Sequence, residues 1–126
     1  MKVRITEYLD IDLATETWCC HNCGVELGAA REDYKHFTLV YERDPHDIHK
    51  PYIRAESSAA GHNTSPDPEW CRIMEFYCPT CATMFEVEYL PVGHPPTRDI
   101  ELDIDALKAK HSSTEQREAR EDGRNN

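Results

Sequence analysis

The chain has no stretch apolar for long enough to cross a bilayer, so a helical membrane-spanning role is excluded. Its opening, MKVRITEYLD, is interrupted by acidic residues, unlike the apolar core of a signal peptide. A cytoplasmic protein with reduced cysteines is therefore expected. Basic residues are scarce. Lys and Arg number 14 against 24 Asp and Glu, leaving a formal net charge of −10. A nucleic-acid backbone needs a concentrated basic surface, so that class of partner is excluded as well. There is no phosphate-binding glycine loop, GxSxG, HExxH or kinase-like set. No residue is accordingly assigned a catalytic or cofactor-binding role, and nothing in this chain alone activates ATP. Hydrophobic residues make up only 39% of the 126, which sets a modest core in need of another source of stability.

What the chain does contain is cysteine in pairs. Cys20-His21-Asn22-Cys23-Gly24 and Cys78-Pro79-Thr80-Cys81-Ala82 both have CxxC spacing, at which two thiolates can face one tetrahedral ion. Four thiolates favour Zn2+ and leave no open coordination position, so the expected site is structural. Gly24 frees the first knuckle for a tight turn. Ala82 stands in the same place in the second, whose turn is therefore expected to avoid strong left-handed strain. The inner cysteines are 54 residues apart, far more than the roughly 15–20 of a compact motif. That excess costs about 1 kcal/mol of loop closure. A structural zinc site contributes on the order of 10 kcal/mol, so metal binding outweighs it.

Two redox-active pairs and unliganded buried thiols are the alternatives. A redox pair usually sits at a helix N-terminus, whereas Cys78 follows a strand-like run. Cys19 can replace Cys20 as a ligand only by lengthening the knuckle. Cys71, beside Trp70, reads as a small buried residue, and a cluster of all six cysteines is a further variant.

The surrounding pattern is β-rich. Val3 and Ile5 alternate with polar residues, and Tyr8–Leu13 can pair with them; Ala14–Glu16 reads as a turn and Thr17–Cys19 as a short strand. Gly28–His36 reads as irregular, and Phe37–Tyr41 as the strongest β run. Arg43–Pro51 and Glu56–Glu69 read as loops. RIMEFYC, with Ile73, Glu75 and Tyr77 on one side and Met74 and Phe76 on the other, leads into the second knuckle, and Met84–Tyr89 returns from it.

Other candidate chemistry is weak. His46 and His49 lie three apart but are bracketed by Pro45 and Pro51, so they read as loop histidines. His21 reads as a neighbour of the metal or as solvent-exposed, and His62 and His94 as turn residues. Asp99, Glu101, Asp103 and Asp105 form an acidic stripe, read as solvated or facing basic residues. Leu102, Ile104 and Leu107 form a docking segment that ends in a helical stretch.

Three passages resemble the gamma subunit of the acetone and acetophenone carboxylase family. They are TETWCCHNCGVELG, HFTLVYERDPHDIHKPY and RIMEFYCPTCATMFEVEYLPVGHPPTRDIELDI, in that order along the chain. CPxC alone is common, but its place in this ordered set is specific. The resemblance implies an ATP-dependent, biotin-independent ligase complex that joins bicarbonate to a ketone and yields a 3-oxo acid. ATP and Mg2+ or Mn2+ would act in large, hydantoinase-like partner subunits of a hetero-oligomer. The small subunit would brace them and hold zinc through Cys20, Cys23, Cys78 and Cys81. CCHNC departs from the acetone-type spacing, and the shorter length is closer to the acetophenone type. A free-standing zinc-ribbon adaptor without catalytic activity is the alternative.

The expected fold is mainly β: a small zinc-ribbon-like scaffold with long loops and a short C-terminal docking segment. Residues 1–111 are expected as one zinc-stabilised domain and 112–126 as a polar tail that frays.

Overall fold

The structure, a computed structural model, describes residues 1–49 and 67–113. The loop expected over Glu56–Glu69 therefore lies outside the described residues up to residue 66, as does the expected tail from residue 114 on. The described chain is mainly β, with two antiparallel sheets and few helices, as expected. It divides into two compact units, Met1–His36 with the chain from Arg98 onward, and Phe37–Thr97. No helix among the described residues is long and apolar enough to cross a membrane.

The first unit is a four-stranded meander of β1 (Lys2–Arg4), β2 (Leu9–Asp12), β3 (Thr17–Cys20) and β4 (Glu26–Ala29), paired in that order. Two side chains shape its early turns: Thr6 Oγ1 accepts the Leu9 N–H at 3.1 Å, and Asp12 Oδ1 accepts that of Ala14 at 3.0 Å. Val3 pairs with Ile11 and Ile11 with Trp18, which stacks apolar residues across the strands. Leu9, Ile11, Leu13, Trp18, Ala30, Tyr34 and Ile104 are buried. Trp18 and Tyr34 meet edge to face, with centroids 5.6 Å apart, and the indole N–H donates to Glu32 O at 2.9 Å. The largest core side chain thus has its one polar group satisfied.

β4 falls in sequence read only as irregular from Gly28 onward. Glu26-Leu27-Gly28-Ala29 has low β propensity, and its pairing with Trp18 and Thr17 supplies what propensity does not. Further on, residues 104–113 are helical. Asp103 caps this helix, its Oδ1 accepting the Ala106 N–H at 3.0 Å. Ile104 is buried, so the docking segment is anchored through its first helical residue. The acidic stripe does meet basic residues: Asp105 accepts from Arg31 at 2.7 Å, and Asp99 lies 3.4 Å from the buried amine of Lys35.

The second unit is the sheet β5 (Leu39–Arg43), β6 (Cys71–Tyr77) and β7 (Met84–Pro91), in that order. β5 starts two residues later than expected because Phe37 ends a 3-10 turn over Tyr34–Phe37. Pro45–Ile48, read as loop, forms one helical turn, α1. Asp44 caps it by accepting the His46 N–H at 2.9 Å, and Pro45 occupies its first turn. Met74, Phe76 and Leu90 make a core cluster on one face of the sheet.

The other face carries a polar network. The Arg43 guanidinium donates to the buried Glu75 carboxylate at 2.9–3.3 Å, and the Tyr77 hydroxyl donates to it at 2.7 Å. Arg43 also lies over the Tyr41 ring, 4.6 Å from its centroid. A charge is tolerated in this position because a guanidinium and a hydroxyl both donate to it. Arg43, followed by Tyr77, holds the Glu75 carboxyl below its ordinary pKa, against the opposing effect of burial.

Candidate metal centre

Each CxxC pair sits at the turn of an antiparallel hairpin, the first between β3 and β4 and the second between β6 and β7. The two turns are built alike. The Gly24 N–H donates to Cys20 O at 2.8 Å, and the Ala82 N–H donates to Cys78 O at 3.0 Å. One residue further on, the hairpins close: the Cys20 N–H donates to Val25 O at 3.0 Å and the Cys78 N–H to Thr83 O at 2.8 Å. Each strand pair also shifts register just before its first cysteine, between Trp18 and Cys19 and between Phe76 and Tyr77.

The shared closure requires a left-handed residue after the second cysteine. Gly24 has φ 77° and Ala82 φ 62°. The expectation that the alanine knuckle avoids left-handed strain is therefore corrected. Ala82 adopts the conformation that Gly24 adopts, because its N–H must point back at the Cys78 carbonyl.

Cys20 and Cys78, the first residue of each pair, are fully buried; Cys81 is half-buried and Cys23 exposed. The sulfur atoms of Cys20, Cys23, Cys78 and Cys81 lie within 4.8 Å of one another, and the group could hold a metal ion. The donor set fits zinc. Bonds of about 2.3 Å in a tetrahedron set sulfur separations of about 3.8 Å, so the ligands would need to close by at most about 1 Å. Such a group fits a zinc-ribbon-like scaffold. Thr83 Oγ1 lies 3.0 Å from Cys81 Sγ, a hydroxyl in reach of a prospective ligand. Its signal in the sequence was only its position, two residues past the last cysteine.

Cys19 occupies the neighbouring position on β3 but not the same face, since successive strand side chains alternate. Its thiol points back toward Thr17 O at 3.7 Å, and burial pushes its pKa up. It is outside the four-sulfur group, as is the half-buried Cys71. His21 turns its Nδ1 to both oxygens of Asp10 at 2.9 Å, which engages that nitrogen away from the sulfurs. His49 Nε2 lies 2.6 Å from the Tyr89 hydroxyl, and the backbone N–H of His94 closes a turn on Pro91 O at 3.1 Å. His62 lies outside the described residues.

The sequence model of the acetone carboxylase gamma subunit family matches residues 3–112, a span that includes all four cysteines. An acetophenone carboxylase beta subunit from Aromatoleum aromaticum is 57% identical over 109 residues, covering 86% of this chain and 81% of that one. An acetone carboxylase gamma subunit from Xanthobacter autotrophicus is 28% identical over 86 residues, covering 68% of this chain and 46% of that one.

Proposed function

The chain belongs to the acetone carboxylase gamma subunit family, and from that premise we propose that it is the small zinc-holding subunit of an ATP-dependent, biotin-independent ketone carboxylase. The reaction is ligation of bicarbonate to acetophenone or a similar ketone, giving a 3-oxo acid. The observation that carries this reading is the family match over a span containing the four gathered thiols. The aromatic ketone is favoured because the acetophenone-type relative shares twice the identity of the acetone-type one.

In this reading Cys20, Cys23, Cys78 and Cys81 are the zinc ligands. Bound zinc supplies a structural tie and no reactive position, since four thiolates complete its coordination. Residues 1–111 act as one zinc-stabilised domain, with 112–126 as a polar tail. The chain's own residues hold the ion and present a shaped surface, while ATP and Mg2+ or Mn2+ act in large hydantoinase-like subunits. The complex works in the cytoplasm, where thiols stay reduced.

Native co-purification with metal analysis tests the reading. The expected result is about one zinc ion per chain, large subunits in the same complex, and loss of ATP- and bicarbonate-dependent carboxylation when this chain is omitted. A chain recovered alone, with assembly and activity unchanged in its absence, would overturn it.

A further inference from the structure

Among the described residues the two sheets have four edge strands, and three of them are blunted. β1 carries Lys2 and Arg4 around its single valine. β4 contains Glu26 and Gly28. β7 carries Glu86 and Glu88 and ends at Pro91, and Glu88 is further occupied by the Thr97 N–H at 3.0 Å. Charge, shortness, glycine and proline are the usual devices that stop an edge from recruiting another strand.

β5 lacks them along most of its length. Leu39, Val40 and Tyr41 are consecutive, and are 57%, 49% and 50% exposed. Leu39 and Tyr41 point to one face and Val40 to the other, so both faces are open to water at this strand, and among the described residues no strand pairs with its outer side. Its inner side pairs with β6 through the full register from Leu39↔Tyr77 to Arg43↔Ile73. The charges at its far end are already used: Glu42 accepts from Arg72 at 2.9 Å, and Arg43 is fixed on Glu75. Next to the edge, Met84 continues the row of Leu39 and Tyr77 and is itself 42% exposed.

We infer that β5 is the edge to which an extended segment of another subunit of the carboxylase adds as a fourth strand. This rests on the subunit reading above. Main-chain hydrogen bonds would supply affinity, and apolar side chains on both faces of the incoming strand would meet Leu39 and Tyr41 on one side and Val40 on the other. The charge balance argues for a different chain as the occupant. Two copies of this protein would bring together net charges of −10 each, whereas a partner segment flanked by basic residues gains from the same field.

The test uses the full chain, tagged and co-expressed with the other carboxylase subunits. Leu39→Lys with Val40→Lys installs the device the other edges carry, at positions half open to water, so zinc content and circular dichroism should match the wild type. The expected result is at least a ten-fold loss of co-purifying partner, with Tyr8→Lys, an exposed position in the turn between β1 and β2, having less than a two-fold effect. In the wild-type complex, amide hydrogen exchange at residues 39–43 should slow, which docking on a sheet face alone would not produce. If wild type and the double lysine variant capture the partner equally, the edge assignment is wrong while the subunit reading survives. If the wild type captures no partner, the subunit reading fails and the edge assignment with it. If the wild type alone forms a dimer that the lysines dissolve, the occupant is a second copy and the assignment to another subunit is wrong.

Discussion

The hairpin β3–β4 and the hairpin β6–β7 pass through the same knuckle from opposite starting points. The first is short, four residues on each side, and its unit depends on Trp18, Tyr34 and Ile104 for a core. The second has strands of seven and eight residues that carry their own cluster of Met74, Phe76 and Leu90. One knuckle uses glycine at its left-handed position and the other alanine. Their hydrogen bonds nevertheless match, residue for residue. The turn is therefore set by backbone closure around the cysteine pair rather than by the strands leading into it or by the residue at its tightest point.

The largest expected effect tests whether the two knuckles are equivalent. If one ion ties them, Cys20→Ser and Cys78→Ser should each abolish tight zinc binding and cost several kcal/mol, up to about 10, as chelation of the wild type should. Zinc content and thermal melts followed by circular dichroism would show this. Full zinc retention by one variant and loss by the other would break the equivalence.

The second effect separates the sheets. Glu75 is buried, and Arg43 and Tyr77, which donate to it, belong to its own sheet. Glu75→Gln should cost about 1–3 kcal/mol, because a charge-assisted pair is replaced by weaker bonds. The pH dependence has a definite sign. Arg43 lowers the folded pKa of Glu75, so its contribution is present above the ordinary glutamate value and is lost as pH falls through the depressed one. Urea unfolding of wild type and variant between pH 3 and 7 should show their difference shrinking toward the acid end. In the other unit, Asp103→Ala removes a helix cap and should cost about 1 kcal/mol, read as a lower urea midpoint.

The sequence made the knuckles, β2, β3, β6 and β7 legible because each joins a strong local signal to a periodic one. The CxxC spacing marks the turns, and alternation in RIMEFYC marks the strand that leads to one of them. Phe37–Tyr41 misplaced β5 because β propensity in Phe37 and Thr38 cannot reveal a 3-10 turn that ends there. β4 was hidden for the opposite reason: Glu-Leu-Gly-Ala becomes a strand only by pairing with β3. α1 was missed because proline was read as a breaker, although at the first turn of a helix it costs no hydrogen bond. The role of Glu75 was also out of reach. Its place on a strand face was visible, but burial beside Arg43 depends on which strand pairs with β6.

The smallest effect bears most directly on the knuckle comparison, because it exchanges the one position at which the turns differ. A Cβ built on Gly24 meets only Lys2 Nζ, at 3.8 Å, which is ordinary contact. Gly24→Ala thus adds no clash, and its cost should be that of a left-handed alanine, about 1 kcal/mol. Ala82→Gly should recover a similar amount by relieving the same conformation in the second knuckle, less the entropy that glycine adds to the unfolded chain. Denaturant midpoints of the zinc-loaded proteins should therefore move in opposite directions, and the double variant should lie near wild type. If Ala82→Gly lowered stability instead, the second turn would be held by its methyl group as well as its backbone, and the two knuckles would be alike only in outline.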